Sequence, residues 1–305
     1  MKILNIFILI LSAIMVSCNK GHKPLEVEIA PVVNAITPPS VVPVAGSCPT
    51  NFILVPGNTA LGTADFCVAK FHTKNFGGLP VVTPGGAPWD NITANDAMAK
   101  CENITEAGYA GKFTIISNPE WMTIARNIEQ VPENWTSGIV GTGQIAKGHT
   151  DGNPDNPLAV SDESDAYNGT LNSLADSAGA GQEQRRILKL SNGNVIWDFS
   201  GNIWTWVDWS SSDAVFTTGP LDASETSREL TELAGSITAF DLQPAGGHTS
   251  FQSFGQWFGA GGVGGAVIRG GRWGNNALAG PFSMYMANAV STSSAHNGFR
   301  CVYRP

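Results

Sequence analysis

Five cysteines, Cys18, Cys48, Cys67, Cys101 and Cys301, have the widest chemical reach in this sequence. None forms a CxxC pair, so neither a zinc knuckle nor a redox dithiol is indicated. Five histidines are scattered without the HExxH spacing of a zinc hydrolase. His149, Asp151 and Asp155 are residue types that could hold a cation, although Asp and Asn in a polar loop more often make turns. Asp162, Glu163 and Asp165 lack the EF-hand pattern and read as a solvated face. Gly259-Ala-Gly-Gly-Val-Gly264 matches GxGxxG. It neither follows a clear strand nor opens a helix, as a dinucleotide site requires. No GxSxG elbow and no thiol with a partner histidine stands out.

Short elements must position whatever site exists. Residues 51–56 and 66–71 are predicted strands around a turn with Gly57 and Gly62. Thr93 caps a predicted helix, 94–103, with Ala97 and Cys101 on one face. Asn118 as cap and Pro119 at the first position start a second helix. Its Trp121, Ile124, Ala125 and Ile128 recur at core-packing spacing. Residues 135–182 are rich in Gly, Asn, Asp, Ser and Pro and read as loop. Residues 186–190 and 194–199 flank Ser191-Asn192-Gly193, a strong hairpin signal. Residues 201–207 alternate as a strand, and 266–269 and 298–303 are late strands. The fold class expected is α+β, loop-rich, with short strands and few helices.

Composition narrows the function classes. Of 305 residues, 14% are charged, against about 25% in ordinary soluble proteins. The 42% of apolar residues excludes a chain disordered throughout. A net charge of −8 argues against a nucleic-acid partner, which needs a basic field.

The N-terminus reads as an address. Lys2 precedes an apolar run over residues 3–16, too short for the roughly 20 residues that span a bilayer. It has the length of a signal-peptide core. The run ends in Ser17-Cys18, which resembles a bacterial lipoprotein cleavage box; an ordinary secretory signal is the alternative. The box implies removal of residues 1–17 and lipidation of Cys18, so that acyl chains make the membrane contact. By resemblance to such lipoproteins, Asn19 rather than Asp after that cysteine favours the outer membrane, facing either the periplasm or the cell surface. Residues 18–46, with Pro24, Pro31, Pro38, Pro39 and Pro43, read as an extended tether before a domain at 47–305. Export leaves four cysteines in an oxidising compartment, with three ways to pair. The preferred pairing is Cys48–Cys67 with Cys101–Cys301.

Five segments, in order, resemble the formylglycine-generating enzyme, or sulfatase-modifying factor, family. They are Ala97-Met-Ala-Lys-Cys101, Ser117-Asn-Pro-Glu-Trp-Met-Thr-Ile-Ala-Arg126, Trp197-Asp-Phe-Ser-Gly-Asn-Ile-Trp-Thr-Trp206, Arg269-Gly-Gly-Arg-Trp273 and Gly298-Phe-Arg-Cys301. The resemblance implies an elaborated C-type-lectin-like fold over about residues 48–305, with termini meeting at a small sheet. It does not carry catalysis across. Aerobic family enzymes place two copper-binding cysteines in the interval corresponding to 272–297, where this chain has none. Thiolate chemistry needs a thiol, so no catalytic residue is assigned and no enzyme of that type is expected. No cofactor is required. Calcium is possible, at Asp198 and the backbone of Gly201 and Ile203, but the family's usual Glu is Thr205 here.

A narrower branch matches further. Residues 118–129, Gly148-His-Thr-Asp-Gly152, Glu183-Gln-Arg-Arg186, Leu190-Ser-Asn-Gly193 and Val195-Ile-Trp-Asp198 look like variable proteins of diversity-generating retroelements. In these binding proteins, adenine-directed mutagenesis rewrites a C-terminal stretch that the fold displays to ligand. The resemblance places that stretch at 269–304. Its framework includes Gly270, Gly271, Trp273, Ala279, Gly280, Phe282, Met284, Met286 and 298–301. Candidate contacts are Arg272, Asn275, Asn276, Leu278, Tyr285, Asn288, Ser293, Ala295 and His296. This Tyr, Asn, Ser, His and Arg mixture suits adaptable recognition. The expected partner is a protein or glycan on another cell or a phage. The alternatives are an invariant lectin-like adhesin or structural lipoprotein, and then a sulfatase-modifying enzyme.

Overall fold

A computed structural model describes residues 47–109, 111–152, 154–159, 185–210, 227–230, 247–258 and 266–305. Residues 1–46, where the signal, the tether and a lipidated Cys18 are expected, lie outside the described residues, as do Asp162, Glu163, Asp165 and the glycine run 259–264.

In chain order the strands and helices begin with β1 (Phe52–Val55), β2 (Phe66–Ala69), β3 (Lys74–Phe76), β4 (Leu79–Val81), α1 (Ala94–Glu102), β5 (Lys112–Ile115) and α2 (Asn118–Glu129). There follow β6 (Ile187–Lys189), β7 (Val195–Trp197), β8 (Trp204–Ser210), β9 (Ser227–Glu229) and β10 (Gln256–Phe258). The chain closes with β11 (Ala266–Arg269), β12 (Met284–Asn288), β13 (Asn297–Phe299) and β14 (Cys301–Arg304). Among the described residues, two α-helices, many short strands and long connections make the loop-rich, C-type-lectin-like α+β fold that the sequence indicates.

The first strands of the described residues and the last one meet in a four-stranded sheet of order β1-β2-β14-β5. Cys48–Cys67 fastens the segment before β1 to β2, and Cys101–Cys301 fastens α1 to β14. A six-stranded sheet, β13-β8-β11-β12-β10-β9, forms the centre. Its register puts Trp206, Ile268 and Tyr285 on one face and Thr205, Arg269 and Met284 on the other. Both faces are covered. Val207, Val267, Trp257, Met284 and Met286 share one core with Trp121, Ile124 and Ile128 of α2. Trp204, Trp206, Ala266, Ile268 and Phe299 share another with Ala97 and Cys101 of α1. Burial on both sides fits the adjacent apolar pair Trp206-Val207, which puts one side chain on each face of β8.

Local sequence sets the helix starts. Thr93 Oγ1 accepts from Asp96 N at 3.1 Å and begins α1. The α2 cap differs from expectation. Ser117, not Asn118, is the cap: its hydroxyl accepts from Glu120 N at 3.4 Å, and Glu120 Oε2 accepts from Ser117 N at 2.8 Å. This reciprocal box satisfies two helix-end donors and releases the Asn118 side chain for a tertiary contact.

Two expected strands also change. The 201–207 strand starts only at Trp204, because Asp198, Gly201 and Asn202 all adopt positive φ (51°, 72° and 61°) and turn the chain sharply. The 298–303 strand is two strands. β13 runs parallel to β8 in the central sheet, whereas β14 lies between β2 and β5 in the other. Arg300, fully buried, makes the crossover. Its guanidinium donates to Ala69 O at 2.7 Å and to Trp197 O at 2.6 Å, holding the ends of β2 and β7 together.

Candidate binding face

After β11 the chain turns through Gly270 and Gly271, with φ of 91° and 86°. A Cβ on Gly270 would lie 2.8 Å from Phe199 O, and one on Gly271 would lie 2.5 Å from Ala279 Cβ. The pair therefore supplies both a backbone conformation and clearance that other residues lack. Trp121 fills the space beneath, stacked on Phe199 at 3.9 Å between ring centres, and donates from Nε1 to Pro281 O at 2.8 Å.

The segment then sorts its side chains by depth. Trp273, Ala279, Phe282, Met284, Met286, Phe299, Arg300 and Cys301 are buried, as are Gly270, Gly271, Gly280 and Gly298. Among the candidate contacts, Asn276, Ser293, Ala295 and His296 are exposed. Arg272, Asn275, Leu278, Tyr285 and Asn288 are half-buried. No candidate contact is buried, and no framework position is exposed.

The candidates do not form one cluster. Arg272 and His296 meet over Trp273: the guanidinium lies 5.1 Å from the indole centre, and the imidazole packs edge-on at 5.1 Å. Asn275 Oδ1 accepts from Arg272 N at 2.8 Å and shapes the turn that follows. Tyr285 and Asn288 lie along β12, and β11 and β8 separate that strand from β13. Tyr285 pairs with Ile268 and Phe258 and leans on the second core. Burial lowers the His296 pKa, Arg272 lowers it further, and Asp155 opposes both.

A second segment supports the face, and local sequence reading missed this role. Thr150 O accepts from Asn276 N at 2.8 Å, and Lys147 Nζ donates to Asn276 O at 3.3 Å. Gly152 N donates to Trp273 O at 2.6 Å. Trp273 Nε1 donates to Asp155 Oδ1 at 2.7 Å. Residues 147–152 and 154–155 thus form a strap against 272–276. His149 Nδ1 lies 3.4 Å from Asp151 Oδ1, but the three do not form a metal-binding group. His149 Nε2 faces the carbonyls of Pro154 and Asn156 at 3.0 and 3.2 Å, so it carries the proton, while Asp155 serves Trp273. Burial lowers the His149 pKa.

The calcium position does not fit a metal ion. Asp198, buried, gives both oxygens to Arg186, at 2.6 Å from Nε and 2.5 Å from Nη2. Gly201 O already accepts from Ile203 N at 2.7 Å. Among the described residues no group of three or more His, Cys, Asp or Glu could hold a metal. The surroundings are cationic. Burial, with Arg186 and Arg300 nearby, pulls buried Lys74 down to about 8 against the attraction of Asp198. The hairpin itself signals the Arg186–Asp198 pair: Ile187 opposes Trp197, so the preceding and following residues are neighbours.

The family model described as "Sulfatase-modifying factor enzyme 1-like domain" matches residues 50–305. No curated protein matches the sequence. Among solved structures, the chain is similar to Treponema denticola variable protein 1, at 14% identity and a TM-score of 0.34, covering 79% of this chain and 85% of that one. It is also similar to PvdO from Pseudomonas aeruginosa, at 15% identity and a TM-score of 0.37, covering 79% and 81%. A third likeness is the Major Tropism Determinant I1 variant, at 15% identity and a TM-score of 0.32, covering 78% of this chain and 50% of that one.

Proposed function

The chain belongs to the family of sulfatase-modifying factor enzyme 1-like domains, and from that membership we propose that it is a ligand-binding protein without the family's thiol chemistry. The observation that carries this reading is the division by depth within 270–301, where polar candidates reach solvent and framework residues do not. A surface can change its side chains without loss of fold only when that division holds. Each of Cys48, Cys67, Cys101 and Cys301 is in a disulfide, which supports the absence of a reactive thiol from the domain.

The ligand is a protein or glycan on another cell or a phage, met by Arg272, Asn275, Asn276, Leu278, Ser293, Ala295 and His296, with Tyr285 and Asn288 as a flank. The apolar leader ending at Cys18 supports export and lipid anchoring at the bacterial outer membrane or cell surface. The motif resemblance to retroelement variable proteins supports diversification of 269–304.

Sequencing the DNA for 269–304 from many cells of one lineage, with its genomic neighbourhood, tests the reading. Substitutions confined to the candidate contacts, beside a near-copy and a reverse transcriptase gene, are the expected result. A uniform segment with no near-copy would leave an invariant adhesin. Turnover of a cysteine-containing peptide by the copper-supplied protein would overturn the non-enzymatic reading.

A further inference from the structure

We propose that Arg186 takes the place of a bound cation, and that through it the Trp273 face is positioned without calcium. Four oxygens from two separate segments converge on this one guanidinium. Asp198 Oδ1 and Oδ2 receive Nε and Nη2 at 2.6 and 2.5 Å, Ala159 O receives Nη1 at 3.0 Å, and Leu158 O receives Nη2 at 3.2 Å. A carboxylate with backbone carbonyls is the hard-oxygen set that calcium uses. Here a planar fork, tied covalently to the start of β6, meets those oxygens instead.

Asn202 completes the junction. Its Oδ1 accepts from Leu158 N at 2.7 Å, and its Nδ2 donates to Leu158 O at 3.1 Å and to Asp198 Oδ2 at 3.2 Å. Residues 158–159 are therefore docked on the 198–202 turn by both side chains. Three residues before Leu158 stands Asp155, which holds the Trp273 indole. Trp273 N also donates to Asn202 O at 3.3 Å, so one turn supports both ends of the path. Arg272 and His296 rest on that indole. Arg186 is a positioning residue, acting through the strap on side chains it does not touch. A free divalent cation entering here would meet Arg186, Lys74 and Arg300 around one carboxylate, a repulsive field.

The reading of 272–296 as a binding face supplies only the functional consequence, and the test reads position rather than ligand. Thermal unfolding of the full-length protein is compared in calcium chloride and in EDTA. Unchanged midpoints are expected, and a fall in EDTA that calcium reverses would overturn the proposal. Amide exchange is then followed at Gly152 and Trp273. Arg186→Gly should speed both at least tenfold while leaving Val302 in β14 unchanged. Guanidinium chloride at low millimolar concentration should restore protection where sodium chloride does not. Unchanged exchange, or loosening that guanidinium does not restore, overturns the proposal. If Arg186→Gly does not fold, Arg186→Lys carries the exchange test. One ammonium cannot span four oxygens, so at least threefold faster exchange is expected, and unchanged exchange overturns the idea. Loss of the ligand-binding reading would alter none of these rates.

Discussion

Arg269, the last residue of β11, places Nε and Nη2 at 3.1 and 2.5 Å from a single oxygen, Oδ1 of Asn118 at the start of α2. Its Nη1 donates to Phe282 O at 3.2 Å. Burial brings the guanidinium down to about 9, so it stays charged at neutral pH with amide and carbonyl partners in these contacts. The residue before the glycine turn is thereby fixed to the helix that backs the central sheet.

Asn118→Ala should therefore cost about 3 kcal/mol, because buried charged donors lose their acceptor. Ser117→Ala, which removes only the cap, should cost about 1 kcal/mol. Urea denaturation of the two variants checks the order. A larger loss at Ser117 would return the capping role to the dominant place and demote the Arg269 contact.

Substitution should follow depth across 270–301. Ser293→Tyr, Ala295→Arg and His296→Ala should shift stability by no more than about 0.5 kcal/mol. Met284→Ala and Met286→Ala, at fully buried positions, should each cost about 2–5 kcal/mol. Differential scanning calorimetry of the five variants separates the two groups, and a mixed ordering would contradict the division between contact and framework.

The Cys101–Cys301 bridge spans 200 residues of sequence. Chain entropy assigns such a loop about 5 kcal/mol, against about 3 kcal/mol for Cys48–Cys67, separated by 19. Replacing both members of the long bridge by alanine should lower the urea midpoint more than the same change in the short one. Equal losses would show that native packing, rather than unfolded-state entropy, dominates.

Acid should weaken the domain through His72. Burial first, then Arg300, Lys74 and Arg186, hold its pKa well below 6.5. In the folded state the ring meets Thr205 Oγ1 at 2.8 Å. Between that lowered value and 6.5 the unfolded chain binds more protons, so stability falls as pH drops and is complete above about pH 7. The slope reaches about 1.4 kcal/mol per pH unit for one group. His149, lowered by burial, acts in the same direction. Urea midpoints at about pH 7, 6 and 5 should decline in the wild type and decline less in His72→Gln; parallel declines would exclude His72 as the source.

Legibility tracked locality. The hairpin around Asn192-Gly193, the core face of α2 and the start of α1 depend on neighbours in sequence, and all were readable there. The break at Arg300 was not readable, because 298–303 is one continuous strand-like run. Which sheet each half joins depends on β8 in one case and β2 and β5 in the other. The candidate contacts in 272–296 follow from the motif resemblance alone; the structure adds that none of them is buried. The strap was legible only as polar loop: its role comes from the Asp155–Trp273 bond, 118 residues apart. Arg186 and Asp198 were each inside recognised motifs, but their pairing required the hairpin register.

The order of the last strands works as a reading-frame seal. Arg300, Cys301 and β14 follow the exposed segment and are all needed to close the terminal sheet, the long disulfide and the junction between β2 and β7. A deletion that shifts the frame anywhere in 272–296 erases all three together, whereas a codon change erases none. Chain written in another frame after residue 272 therefore cannot close the domain.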